Sequence, residues 1–226
     1  MNSELNPPRL ATEPSDESGR ERRAKRVSEY YDRVAPNRDK WISRNSYFHD
    51  EDSRFARFLV PEGLKVLDLG CGTGMVAQNF RDVAEEMHGV DLSPKMIEGA
   101  RQKEVFDALY VEDVIEFLEH PERGSFKYDL IIAAELFVYI GSLKTIFAAV
   151  AKVMATGGMF VFSVETLEKG DYKLLATGRY SQSAAYIEKL ASANDFSIEL
   201  RDPVVLRNAK PSPIAGNLFI LRAAVQ

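Results

Sequence analysis

Val66-Leu67-Asp68-Leu69-Gly70-Cys71-Gly72-Thr73-Gly74 decides how the rest of the chain is read. An apolar run opens it and three alternate glycines close it, which predicts a buried strand ending in a tight turn where a ligand meets backbone. Glycine tolerates positive φ and has no Cβ, so the main chain can turn sharply and lie against a bound group. A dinucleotide fingerprint G-x-G-x-x-G would need glycine or alanine at position 75, where the chain has Met75, and it needs no acid before its first glycine. Asp68 stands two residues before Gly70, at the end of the strand, where its carboxylate can meet a ligand's ammonium. The alternative for Asp68 is a carboxylate that holds the N–H groups of its own loop.

A second acid tests the same unit independently. Asp91 closes the run Met87-His88-Gly89-Val90, 23 residues after Asp68 (91 − 68 = 23). In nucleotide-binding βαβ units an acid about 20 residues beyond the glycine turn accepts bonds from the ribose hydroxyls. Asp91 could cap the next helix instead, but Ser93-Pro94 already offers a cap followed by an N1 proline, which leaves Asp91 for a ligand.

Outward from this unit, short apolar runs at 65–69, 86–90, 108–111, 128–133 and 159–164 alternate with stretches that can be helical. That rhythm belongs to βαβ units around a parallel sheet. The best helix runs over 143–154, capped by Ser142 and stopped at Gly157-Gly158, with Ile146, Phe147, Val150 and Val153 on one face. A second helix covers 184–194, and 196–200 and 218–221 then pair around a loop holding Pro203, Pro211 and Pro213. The expected fold is α/β: a Rossmann-like, doubly wound, mostly parallel seven-stranded sheet with a C-terminal antiparallel hairpin. Upstream, residues 20–60 read as a helical cap or lid, with Val27, Tyr30, Tyr31 and Val34 on one face and a break at Pro36. Residues 1–19, with Pro7, Pro8 and Pro14 among polar groups, read as a disordered tail, and 61–226 as the catalytic domain.

The chain has 226 residues, 45% of them hydrophobic, enough for one domain with its own core. A formal charge of −5 argues against a surface built to grip nucleic acid. The single cysteine, Cys71, excludes an internal disulfide and cysteine-rich zinc or iron–sulfur centres, so no metal site is expected and a reducing, cytoplasmic setting fits best. No apolar run reaches the length of a membrane span, and the N-terminus lacks the apolar core of a secretory signal.

The stretch 66–74 and Gly89-Val90-Asp91-Leu92-Ser93-Pro94-Lys95-Met96 resemble the first two motifs of the class I S-adenosylmethionine (SAM) dependent methyltransferases. Val111-Glu112-Asp113-Val114 resembles their third motif, and Tyr128-Asp129-Leu130-Ile131-Ile132 before Ala133-Ala134-Glu135 resembles the fourth strand and its active-site end. The resemblance covers 60–164. It implies SAM as cofactor and S-adenosylhomocysteine (SAH) as product. On this basis Gly70, Cys71, Gly72 and Gly74 line the methionine part and Asp91 holds the ribose. Leu92 and Met96 contact adenine, Asp113 takes its amino group, and Val114 flanks the ring. A finer likeness, through LFVYIGSL at 136–143 and GRYSQSAAYIEKL at 178–190, is to predicted methyltransferases related to the tetratricopeptide-linked group. Those relatives carry aspartate in place of Glu135 and histidine in place of Gln182. Tyr31, with Tyr30, resembles lid tyrosines that close over SAM, and reads equally well as a core aromatic of an amphipathic helix.

Methyl transfer from a sulfonium is an in-line displacement, so alignment and exclusion of water are the protein's main tasks. Where the acceptor must lose a proton, Glu135 after the fourth strand ranks first as base, followed by Tyr139 and His49; a solvated loop acid is the alternative for Glu135. His88, inside a strand, and His120, beside Pro121, read as structural or surface groups. Arg179 could pair with an anionic acceptor, or be an ordinary surface arginine. Ala134-Glu135-Leu136-Phe137 lacks the Asn- or Asp-Pro-Pro-aromatic motif with which nucleic-acid amino-methylating enzymes hold a base, and Cys71 sits in the cofactor loop rather than at an acceptor. The expected partner is a small-molecule acceptor, with neither nucleic acid nor membrane. A protein acceptor, a SAM-binding accessory protein without turnover, and an NAD(P)-dependent oxidoreductase are the alternatives, the last opposed by Met75 and Asp68.

Overall fold

The computed structural model describes residues 17–39, 61–120, 126–208 and 212–225. The glycine-loop strand β1 (Leu64–Leu69) lies at the centre, hydrogen-bonded in parallel to β2 (Ala84–Asp91) on one side and β4 (Tyr128–Ala133) on the other. Outside β2 runs β3 (Ala108–Val111), and outside β4 runs β5 (Met154–Leu167), giving the order β3-β2-β1-β4-β5. The order reverses between β1 and β4, so the sheet opens there into a crevice at the carboxyl ends of its strands. In register, Asp68 stands beside Gly89 on one neighbour and Ile132 on the other.

Alternation along the strands sorts the core into two layers. Leu67, Leu69, Ile131, Ala133, Phe160 and Phe162 point to one face, covered by helices α3 (Val114–Glu119), α4 (Lys144–Val153) and α5 (Ala184–Ala193). Leu64, Val66, Leu130, Ile132, Met159 and Val161 point to the other and pack on Ala77, Phe80 and Val83. Helix α2 (Pro94–Arg101) starts as its sequence dictates: the Ser93 hydroxyl accepts the Met96 N–H and Pro94 takes the first turn. Met96 then packs against Tyr30 and Val34 of helix α1 (Glu17–Val34).

Several expectations are corrected. Among the described residues the sheet has nine strands rather than seven, because β6 (Tyr172–Leu174) and β7 (Tyr180–Ser183) form an extra hairpin, β7 running parallel to the end of β5. The expected hairpin is β8 (Phe196–Arg207) against β9 (Ile214–Ala223), with β9 antiparallel to β5. Pro203, expected in the loop, lies within β8 opposite Asn217; among the described residues β8 pairs only with β9, so the missing N–H removes no bond from a second neighbour there. After the glycine loop there is a single 3₁₀ turn, Ala77–Asn79, rather than a helix. Only residues 75–83 separate Gly74 from β2, too few for a helix of two turns and its return to a parallel strand. Strand β5 begins at Met154 and runs through Gly157-Gly158, which the sequence marks as a helix stop, and α4 starts after Leu143 without a side-chain cap from Ser142.

Helix α1 begins at Glu17, inside the segment expected to be tail, and ends in the 3₁₀ turn Ala35–Asn37, where Pro36 breaks it. The rest of the tail, and the second half of the cap with His49, lie outside the described residues. No described helix is long and apolar enough to cross a membrane.

Candidate active site

A cavity of about 400 Å³ lies between α1 and the carboxyl ends of β1, β2 and β4. Asp68, Gly70, Cys71, Gly72, Asp91, Leu92, Met96, Asp113, Val114 and Tyr31 line it, and so do Glu135 and Tyr139. Gly74 does not. It turns the loop at φ +79 with its N–H on the Cys71 carbonyl at 2.8 Å, and a Cβ there would meet the Phe106 ring at 2.8 Å. A Cβ on Gly72 would meet nothing within 4 Å, so this glycine leaves open space on the cavity side of the loop.

The two acids behave differently. Asp91 Oδ2 accepts the Gly72 N–H at 2.9 Å and Oδ1 the Ser93 N–H at 2.8 Å, so the acid fastens the glycine loop to the start of α2. Burial raises its carboxyl above the ordinary range, against the pull of those N–H groups and of Arg38. Asp68 is 2% exposed, and its Oδ2 has no hydrogen-bond partner. Burial first, then the charge of Asp91, pushes it up to about 7. A buried carboxylate oxygen without a donor costs about 1–3 kcal/mol and suits a cationic donor brought by a ligand. Asp113 caps α3, its Oδ1 accepting from Ile115 at 2.8 Å and Glu116 at 3.4 Å. The Cys71 thiol is pushed up by burial, then by Asp68 and Asp91, which leaves it no nucleophile.

At the far end Glu135 follows β4 in a left-handed conformation, φ +55. Its Oε2 accepts from Arg207 Nη1 at 3.1 Å and Arg179 Nη1 at 3.3 Å, while the buried Oε1 has no partner. Arg207 Nη2 also donates to Glu165, and Arg179 Nη1 lies 3.5 Å from the same carboxylate. The solvated-loop reading of Glu135 therefore fails: two arginines and two glutamates form a neutral, buried cluster. Arg179, readable as a surface group, is 5% exposed and donates through Nη2 to the Tyr139 hydroxyl at 2.9 Å. Burial works against its charge, yet Tyr139, Glu135, Tyr31 and Glu165 outweigh it and hold the guanidinium above its usual value. Tyr139 shares a further hydrogen bond with the Tyr31 hydroxyl, and burial, then Tyr139, raises Tyr31 well above the ordinary phenol range.

Sequence reasoning missed Arg38, Arg207 and Glu165. Arg38, just after the Pro36 break, lines the cavity with its guanidinium 5.3 Å from the Tyr31 ring centroid. Gln182, at the position where relatives carry histidine, is fully buried and away from the cavity, its Nε2 donating to the Phe137 and Ile140 carbonyls at 3.0 and 2.8 Å. His88 bridges the Tyr128 hydroxyl and Glu86 within the sheet, also away from the cavity.

A lidded crevice at the switch point of a sheet ordered in this way is the class I, SAM-dependent arrangement, and the residues present fit that cofactor: an unpartnered carboxylate for its ammonium, an acid for its ribose, and glycine where it needs room. The chain belongs to the methyltransferase domain family, whose profile matches residues 20–199. It is 29% identical over 121 residues to the ubiquinone biosynthesis O-methyltransferase of Proteus mirabilis, covering 51% of this chain and 48% of that protein, so the match spans about half the relative's length. Among solved structures, the N-methyltransferase NodS of Bradyrhizobium japonicum in complex with SAH superposes with a TM-score of 0.67 at 18% identity, over 87% of this chain and 97% of NodS. The (4+2)-cyclase SpnF superposes at 0.70 with 15% identity, over 90% and 97%.

Proposed function

We propose that this chain moves the methyl group of SAM to a small-molecule acceptor by in-line displacement. The observation that carries the reading is the partnerless, buried Asp68 oxygen beside the glycine loop, matched to the ammonium of the cofactor's methionine part. Gly70, Cys71 and Gly72 offer backbone along that part, and Arg38, a cation lining the same cavity, meets its carboxylate in this reading. Asp91 takes the ribose hydroxyls with the lone pairs that its two backbone bonds leave over, each carboxylate oxygen having two. Leu92, Met96 and Val114 border the adenine, Asp113 takes its amino group, and Tyr31 closes the site from α1. Gly74 contributes through the turn.

The cofactor supplies an electrophilic methyl on a sulfonium that leaves as a neutral thioether. What the chain adds is alignment and dryness: α1 covers the crevice, and Glu135 and Tyr139 stand at the end left for the acceptor. Of these, Glu135 has the buried oxygen free to receive the acceptor's O–H or N–H. The name of the Proteus relative favours a small acceptor; the cavity's volume, lidded on one side by α1, favours it over a protein side chain. A SAM-binding accessory protein without turnover is the second reading, supported by the commitment of both Glu135 and Tyr139 to Arg179.

The test is transfer of label from methyl-labelled SAM by the purified protein into a native cell extract, separated into small-molecule and macromolecular fractions. Label in the small fraction that disappears with Asp68→Asn is the expected result. Label in protein would move the acceptor to the macromolecular class, and bound SAM with no label in either fraction would favour the accessory reading.

A further inference from the structure

We propose that Arg179 is a positioning residue that makes the acceptor end of the cavity depend on helix α1 being seated over the cofactor end. The inference rests on the cofactor reading above. Helix α1 meets the acceptor end at two points eight residues apart. Arg23 donates through Nε to the Tyr139 carbonyl at 3.2 Å and through Nη2 to the Gly178 carbonyl at 3.1 Å, with its guanidinium 4.6 Å from the Tyr180 ring centroid. The Tyr31 hydroxyl bonds the Tyr139 hydroxyl. The same helix meets the cofactor end through the Ser28 hydroxyl, which donates to the Leu92 carbonyl at 3.0 Å, and through Asp32, which accepts from the Ser93 hydroxyl at 2.6 Å. One rigid helix therefore holds both ends at once.

Arg179 is where these contacts converge. It follows Gly178, whose carbonyl Arg23 grips, and its two terminal nitrogens bond Tyr139 and Glu135, the two groups that face the acceptor. A planar, donor-only fork fixes the angle between its two partners, which a lysine point charge cannot do. When α1 lifts, Tyr139 loses bonds at both its carbonyl and its hydroxyl, and Gly178 is released together with it. The Tyr139 hydroxyl is then held by the fork alone, and the fork itself stands just before β7, on a hairpin no longer pinned by the helix. The acceptor end is therefore assembled only with the helix down.

The test uses the full chain, SAH as the probe, and trypsin cleavage mapped at Lys25 and Arg26, which are exposed on α1. In the wild type, saturating SAH slows these cuts by about tenfold or more, since cleavage needs local opening of the helix. Tyr139→Phe and Arg179→Lys still bind SAH, and both are cut at these two sites at least about twofold faster than wild type, with and without SAH, while cuts outside α1 keep the wild-type rate. A residue that merely stabilised the fold would speed cuts across the whole chain alike, with no excess at Lys25 and Arg26; that result overturns the proposal. If Arg179→Lys fails to fold, cuts spread to the core and Tyr139→Phe, which loses one hydroxyl, decides alone. SAH that binds without protecting α1 in the wild type overturns the proposal, whereas SAH that does not bind in a direct titration sinks the cofactor reading by itself. The link is then judged on the ligand-free proteins, where Tyr139→Phe is cut at α1 at least about twofold faster than wild type, and equal rates refute it.

Discussion

Asp68 and Asp91 lie at the carboxyl ends of neighbouring parallel strands on the same cavity, and the charge of Asp91 adds to burial in lifting the Asp68 carboxyl to about 7. An unfolded aspartate titrates near 3.9. Between these values the folded chain holds a proton that the unfolded chain has released, so the Asp68 contribution to stability falls as pH rises from about 4 and is at its most unfavourable above about 7. Asp68→Asn removes the buried charge while keeping the shape. It is expected to raise the melting temperature of the ligand-free protein by several degrees at pH 8, at roughly 2–4 °C per kcal/mol, and by clearly less at pH 5. Thermal unfolding at the two pH values checks this; an equal shift at both would remove the titration from the account.

The buried cluster of Glu135, Glu165, Arg179 and Arg207 is balanced only as a whole. Glu165→Gln leaves an uncompensated guanidinium inside the protein and should destabilise it by about 3 kcal/mol. Adding Arg207→Met should recover a large part of that loss, because the remaining Glu135–Arg179 pair is neutral. Denaturant titration of the two single variants and the double variant measures the coupling, and simple additivity would mean that the four groups do not act together.

Two glycines should fail in opposite ways. Gly72 has φ +53 and no atom within 4 Å of its missing Cβ, so Gly72→Ala costs about 1 kcal/mol of stability but puts a methyl into the cofactor space. A Cβ on Gly216 would fall 2.4 Å from Leu206 Cγ and 2.6 Å from the Val164 carbonyl, so Gly216→Ala should cost about 3 kcal/mol through overpacking. SAH binding and unfolding measured on both variants separate the two effects. A Gly72→Ala protein with unchanged affinity would remove the glycine loop from the site.

What the sequence revealed follows from how local each signal is. The five parallel strands announce themselves as short runs with apolar residues between turn signals, and the start of α2 is written in Ser93-Pro94, because a cap is a contact between near neighbours. The hairpin of β6 and β7 was invisible: Tyr180-Ser181-Gln182-Ser183 has no apolar run, and its side chains are buried only by the arrangement of β5, α5 and the turn after β4. Arg179 and Arg207 look like surface residues for the same reason. Their partner Glu135 lies 44 and 72 residues away, and no periodicity encodes a pairing over that distance. The segment after the glycine loop was misread because its composition permits a helix, while the nine residues available do not.

The most direct measurement is calorimetric titration of SAH into wild type and Asp68→Asn at pH 8, where the wild-type carboxyl is ionised and the variant is expected to be the more stable protein. Wild type is expected to bind, and the variant to bind about 100-fold more weakly, a loss of about 3 kcal/mol for one buried charge-assisted bond. Equal affinities in two folded proteins would contradict the assignment of Asp68 to the ammonium, and with it the proposed reading of the cavity.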